Sequence, residues 1–250
     1  MLTEERQAEI LKQLQVKKVV KVRDLIKELD VSESTIRRDL QEMEEAGLLV
    51  RIHGGAKQIV KLEPELTMAE KSVKNTHEKR EIAQFASEFV QEGEYIYLDA
   101  GTTTLEMLPY LKGKNIHLIT NSVKHALLGT ELGITTTIIG GQIRGKTTAS
   151  VSQEGVYQLE GYFFDRVFMG VNGIHPVHGY TTADSSEASM KKAAISQTQH
   201  VYFLADATKF DKLNFAQIAR IETGTLVTNK LNIEQKETYE NLTIVRESDL

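Results

Sequence analysis

Apolar positions near the start of the chain repeat at helical spacing. Leu2, Ile10, Leu11 and Leu14 outline a first helix, for which Thr3 is the expected N-cap. Leu25, Ile26 and Leu29 do the same for a second helix over "VRDLIKELD". Ser32 then opens a third helix that runs to about Ala46. Ile36, Leu40 and Met43 form its inward stripe, and Gly47 is its left-handed stop. "LLVRIHGGAKQIV" reads as two short strands joined at Gly54-Gly55. Three helices followed by a hairpin predict a winged helix-turn-helix over residues 1–57. Residues 58–74 carry charges, Pro64 and no clear period, and read as a linker.

From residue 75 the pattern changes. A stripe of Ile82, Phe85, Ala86, Phe89 and Val90 predicts a helix that begins near Glu78 and stops at Gly93. Short apolar runs then alternate with helical segments: "YIYLD", "IHLIT", "TTTIIGG", "RVFMGVN", "VYFLAD", "GTLVTN" and "LTIVRE" as strands, with "LEMLPYL", "VKHALLGTEL" and "SEASMKKAAISQ" among the helices. That alternation predicts an α/β domain with a largely parallel sheet over 75–250. The segment around "IEQKETYE" reads as a solvated amphipathic helix.

Composition narrows the chemistry. The 250 residues carry a formal charge of −5, are 40% hydrophobic and contain no cysteine. Disulfides, thiolate zinc sites and cysteine catalysis are excluded. The opening "MLTEERQAEI" lacks the apolar run of a signal peptide, and no apolar stretch reaches the roughly 18 residues of a membrane span. A cytoplasmic protein with no membrane partner is expected. Residues 1–60 hold 11 Lys and Arg against 11 Asp and Glu. Any attraction for nucleic acid must therefore be local.

A local signal exists on the third helix. With Ile36, Leu40 and Met43 inward, Ser34, Thr35, Arg37, Arg38 and Gln41 remain outside, next to the capping Ser32. Hydroxyls and guanidinium groups on the first turns of a helix can reach phosphates and base edges in a major groove. Arg51, His53 and Gly54 lie on the expected wing. The bland reading is a small helical domain with solvated arginines, but the cap, break, stripe and basic wing occur together. "VSESTIRRDLQEMEEAGLLVRIHGGA" resembles the helix-turn-helix signature of the DeoR family of bacterial transcriptional regulators. The resemblance implies double-stranded operator DNA as the partner.

Four polar clusters follow predicted strands, where ligands bind in open parallel sheets. They are "DAGTTT" with Asp99, Gly101, Thr102, Thr103 and Thr104; "TNS" with Asn121 and Ser122; "GGQIRG" with Gly141; and "ADATKF" with Asp206 and Lys209. A helix start with hydroxyls suits a phosphate. These motifs and "FDRVFMGVNGIHPVHGYTT" resemble the sensor domain of the same family. The resemblance implies a fold similar to ribose-5-phosphate isomerase and a phosphorylated sugar as effector, with Asn172, Gly173 and Lys191 also in the site. "EKSVKN", "YLDAGTTTLEMLPYLKGKNI" and "MGVNGIHPVHGYTTAD" look most like the fructose-operon repressors of Gram-positive bacteria, for which fructose 1-phosphate is the expected effector. Relatives usually carry Gly at Ser152, which would matter if that position bordered the pocket.

The rival reading is a sugar-phosphate isomerase, which needs a general base. Where such an enzyme carries acids this chain has Met169, Asn172 and Gly173; at its later catalytic positions it has Lys191 and Thr182. Glu187 is the one remaining base, although a carboxylate at a helix start more often caps or pairs with Lys191. No catalytic residue, cofactor or metal site is therefore expected. His175 and His178 sit three apart without a carboxylate, and the other histidines are isolated. A scaffold protein would account for the α/β domain but not for the DNA-reading face. A single reader contacts few base pairs, so a homo-oligomer is expected. Repression is the expected sign of regulation, and activation is physically open.

Overall fold

The computed structural model describes residues 2–58, 62 and 65–248. It divides into two compact units, Met1–Lys61 and Leu62–Leu250.

The first unit runs α1 (Thr3–Lys17), β1 (Val19–Lys21), α2 (Val22–Leu29), α3 (Glu33–Glu45), β2 (Leu49–Ile52) and β3 (Gly55–Gln58). Thr3 is the first residue of α1 rather than its cap; the Leu2 N–H donates to the Glu5 carboxylate at 2.9 Å. Leu2 is 71% exposed and stands outside the stripe, which Ile10 and Leu14 carry into the core. On α3, Ile36, Leu40 and Met43 are buried, and the Ser32 hydroxyl accepts from the Thr35 N–H at 3.2 Å. The sheet has one strand more than the hairpin: β1 pairs antiparallel with β3, giving the order β1-β3-β2. Gly55 permits that pairing, because a Cβ there would lie 2.0 Å from the Val20 carbonyl oxygen. Ile59 and Val60 of the expected hairpin lie outside the described residues, as do Lys61, Glu63 and Pro64 of the expected linker. Between α1 and α3 lies a buried ion pair. The Arg6 guanidinium donates to both oxygens of Asp39, at 2.5 and 2.8 Å.

The second unit opens with α4 (Met68–Ser72) and α5 (Thr76–Ser87), then β4 (Tyr95–Leu98), α6 (Thr102–Leu105), α7 (Leu108–Leu111), β5 (His117–Thr120), α8 (Val123–Glu131), β6 (Thr135–Ile138), β7 (Gln142–Ile143), β8 (Ser150–Val151) and α9 (Gln153–Glu160). It continues through β9 (Arg166–Gly170), β10 (Gly173–His175), β11 (Gly179–Thr182), α10 (Ser185–Ile195), β12 (Val201–Leu204), β13 (Ala216–Ala219), β14 (Thr225–Thr228), α11 (Ile233–Tyr239) and β15 (Ile244–Glu247). Seven of these strands form one all-parallel sheet in the order β15-β14-β12-β9-β4-β5-β6.

Alternation along the strands explains why both faces are covered. Ile96, Leu98, Leu118 and Phe168 pack with Ile82, Ala83 and Ala86 of α5 on one face. Tyr97, Val167, Met169 and Phe203 pack with Leu159 of α9 and Met190 and Ala194 of α10 on the other.

Three expectations need correction. Residues 65–74 are not a free linker: Thr67 and Glu70 form a capping box that starts α4, and Glu65 pairs with Arg144 at 3.0 Å. Helix α5 ends at Ser87, with Phe85 and Phe89 only partly buried. Helix α11 is not merely solvated, because Tyr239 is wholly buried and its hydroxyl donates to Asp211 at 2.9 Å. The antiparallel sheet β10-β11-β13, the β7-β8 pair and α9 have no counterpart in the sequence reading.

Candidate functional site

On the first unit, Ser32, Ser34 and Thr35 form a hydroxyl cluster with 2.8 Å contacts from the Ser32 oxygen to both neighbours. Arg37 pairs with Glu33 at 2.6 Å, Arg38 with Glu42 at 3.0 Å, and Gln41 donates to Glu45 at 3.0 Å. Both arginine side chains are more than half exposed. Exposed i,i+4 pairs of this kind are worth about 0.3–0.5 kcal/mol, so an incoming phosphate or guanine can displace the carboxylate. Arg51, His53 and Gly54 are exposed on the wing, and the Arg51 N–H is accepted by Glu44 at 2.8 Å. The face can therefore present two guanidinium groups and three hydroxyls from one helix end, beside a basic wing.

In the second unit a cleft of about 710 Å³, including its open mouth, lies beyond the carboxyl ends of β4, β5, β9 and β12. Its lining joins Asp99, Gly101, Thr102 and Thr103 after β4 with Asn121 after β5. It adds Gly170 to Asn172 from β9, Glu187 and Lys191 of α10, and Lys209. Met68 and Lys71 of α4, with Lys79 of α5, complete it.

Asp99 is fixed from every side. The Gly101 N–H donates to it at 3.1 Å and the Thr104 hydroxyl at 2.9 Å, and Lys191 is ion-paired to its other oxygen. Lys191 also donates to the Gly170 carbonyl at 3.0 Å. Burial, with the charge of Lys71 adding repulsion, lowers the Lys191 ammonium to about 7. Glu187 accepts from Arg144 and from Thr147, each at 2.7 Å. Arg144 also holds Glu65 and Asp184, at 3.0 and 3.2 Å. Burial would raise the Glu65 carboxyl, but hydrogen bonding and charge from Arg144 outweigh it and leave the group lowered.

Thus both carboxylates of the cleft already have cations. Lys79 donates to the backbone carbonyls of Lys71 and Lys74 at the end of α4. Among the described residues, Lys71 and Lys209 form no ion pair. Burial lowers the Lys71 ammonium, and Lys209 is one of the charges that push it further. Two lysines without an ion pair, lining one cleft with a fixed carboxylate and amide side chains, suit an anionic, polyhydroxylated ligand.

Residues 6–61 match the DeoR-like helix-turn-helix domain, and residues 74–230 match the DeoR C terminal sensor domain. The chain belongs to the DeoR family. It is 42% identical, over 98% of both chains, to the uncharacterized helix-turn-helix-type transcriptional regulator FruR of Bacillus subtilis. It is 30% identical, again over 98% of both, to the lactose phosphotransferase system repressor of Lactococcus lactis. Among solved structures, ribose 5-phosphate isomerase A of Methanocaldococcus jannaschii matches 56% of each chain at 17% identity, with a TM-score of 0.42. Membership makes the chain a DNA-binding transcriptional regulator rather than the isomerase weighed as the alternative.

Not every sequence-chosen effector residue of this DeoR-family chain reaches the cleft. Asp99, Gly101, Thr102, Thr103, Asn121, Asn172, Lys191 and Lys209 line it. Thr104 is fully buried, holding Asp99 and lying 3.1 Å from His125 Nε2. Ser122 caps α8. Gly141 packs against Ser150 and Ser152, and Gly173 against the Lys212 carbonyl. Asp206 caps the turn Ala207–Lys209 and accepts from Asn75 at 3.0 Å. Ser152 does not border the cleft either; its hydroxyl accepts from the Gly155 N–H at 3.0 Å and starts α9. Glu187 pairs with Arg144 and not with Lys191. His125, expected to be either a surface or a structural histidine, is structural: it is wholly buried, and burial lowers it to about 3. Lys71, Lys79 and Thr147 were missed. The signal for the first was present, since Lys71 lies in "EKSVKN", a stretch that already carried the resemblance.

Proposed function

We propose that this DeoR-family regulator represses a sugar-utilisation operon in the cytoplasm. On this reading it holds double-stranded operator DNA through α3 and the wing, as a homo-oligomer, and leaves it when a phosphorylated sugar fills the cleft. Fructose 1-phosphate is the first candidate effector, because the 42% identity to FruR exceeds the 30% identity to the lactose repressor. The observation that carries the reading is the charge balance of the cleft. Asp99 and Glu187 are ion-paired to Lys191 and Arg144, whereas Lys71 and Lys209 have no ion pair among the described residues and can meet a phosphate. Hydroxyls of the sugar would then face Asp99, Asn121 and Asn172. Repression follows if the sugar phosphate favours a geometry of the oligomer that binds DNA less well.

The test is release of operator-bound protein by fructose 1-phosphate, fructose 6-phosphate, tagatose 6-phosphate, glycerol 3-phosphate and unphosphorylated fructose. Fructose 1-phosphate is expected to act at the lowest concentration and fructose not at all. Release by another sugar phosphate at lower concentration would reassign the operon. Release by none would remove the cleft as an effector site.

A further inference from the structure

The two outer strands of the parallel sheet differ in chemistry. Strand β15, at one edge, carries Arg246 and Glu247, and Glu247 is paired to Lys236 at 2.8 Å. Charges on an edge strand prevent another strand from adding to it. Strand β6, at the other edge, reads Thr-Thr-Thr-Ile, and Thr135, Thr137 and Ile138 are exposed. No charge occurs anywhere from Leu132 to Ile143, in a chain that is 26% charged. Beside this edge the sheet face is open. Thr137 lines a groove with Tyr95, His117, Tyr162 and Phe163. Tyr95 is 50% exposed and Phe163 is 85% exposed.

We infer that β6 and the adjoining aromatic groove form a two-fold interface with a second copy of this chain, in which β6 pairs antiparallel with its own counterpart. The charge pattern selects this occupant. Across a two-fold axis each residue meets itself or a near neighbour, so any charge there would face its like. A charge-free stretch fits that requirement, whereas a foreign partner would not impose it. A two-fold perpendicular to the sheet also makes the two strands antiparallel, the arrangement that allows direct edge-to-edge hydrogen bonds. The parts of Tyr95, Tyr162 and Phe163 still exposed, 50%, 41% and 85%, would together supply roughly 350 Å² of the roughly 800 Å² per partner that a stable interface needs. A second copy also provides what the DNA-reading face lacks, since one small reader contacts only one half-site. The inference rests on the proposed role only for that last point.

The experiment is sedimentation of the full chain at micromolar concentration, without DNA or sugar phosphate. The parent is expected as a dimer or a multiple of one. Thr137→Lys, which would set two ammonium groups across the axis, is expected to halve the mass. Mixing Thr137→Lys with Thr137→Glu should restore it, which also shows that both variants are folded. Arg246→Glu on the opposite edge should leave the mass unchanged. A monomeric parent, or a Thr137→Lys variant with the parent's mass, would overturn the interface. Because no effector or operator enters this measurement, its failure is separate from failure of the repressor reading, which is tested by release from DNA.

Discussion

Arg6→Met should cripple DNA reading although residue 6 lies on α1, outside the reading face. The side chains of Arg6 and Asp39 are 8% and 3% exposed, and the guanidinium grips the carboxylate with two hydrogen bonds. Removing Arg6 leaves Asp39 buried on α3 without a cation. Breaking a buried pair typically costs 3–5 kcal/mol, and the lower figure, about 3, suits a pair near the rim of a small unit. A unit of 61 residues, at roughly 0.05–0.15 kcal/mol per residue, has a total stability of about 3–9 kcal/mol. The loss is therefore a third of that total or all of it. Arg6→Met with Asp39→Leu should recover most of the stability, because an apolar pair of similar volume is neutral or better in such sites. The assay is thermal unfolding of the full chain by calorimetry, with operator affinity measured below the transition. The reasoning is refuted if Arg6→Met melts with the parent, or if the double variant is as unstable as the single one.

Three further outcomes are expected. Arg37→Ala should lose about 1–3 kcal/mol of discrimination at one base pair if Arg37 reads a guanine, while Arg38→Ala should weaken all sequences alike and flatten the salt dependence; gel shifts on operator variants separate the two. Lys209→Ala and Lys71→Ala should each cost about 1.5–3 kcal/mol of effector binding, a ten- to hundredfold rise in dissociation constant by titration calorimetry, and Lys209→Ala should leave effector-free operator binding unchanged. His125 gives a pH dependence with a definite sign. Its folded value, about 3, lies below the ordinary 6.5. The unfolded chain therefore takes up a proton that the native state refuses. Stability should fall as pH drops below 6.5, by about 1.4 kcal/mol per unit, and urea unfolding of His125→Gln should lack this part of the slope.

Much of the fold was legible because the parallel strands are buried on both faces and read as unbroken apolar runs. Asp99, Asn121 and Lys209 could be found for the same reason: each follows such a run, where open sheets bind ligands. Strand β1 escaped because Val19-Val20-Lys21 has three residues, too few to show a period between two helices. Helix α4 escaped because five residues show no stripe; the Thr67-x-x-Glu70 capping box was its one local sign. Arg144 was invisible in its role, since its partners Glu65, Asp184 and Glu187 are brought together only by the tertiary fold. Thr104, Ser122 and Asp206, which do not line the cleft, share one physical reason. A short polar side chain after a strand can turn toward a ligand or toward its own backbone, and only packing decides which.

The floor of the cleft limits how this sensor can diversify. A Cβ at Gly101 would lie 2.9 Å from the Asp99 carboxylate, 3.1 Å from the Thr104 hydroxyl and 3.4 Å from the Gly170 Cα. None of these can retreat, because Asp99 is held by Thr104, Lys191 and the Gly101 N–H. New ligand preferences therefore cannot arise by reshaping the floor without dismantling Asp99. They have to come from lining residues that do not hold Asp99, such as Lys71 and Asn172, where a side chain can change length or charge while the carboxylate stays in place. On the proposed sugar-phosphate reading, such a site would pass from one ligand to another by few substitutions, because the Asp99 arrangement is kept in each intermediate.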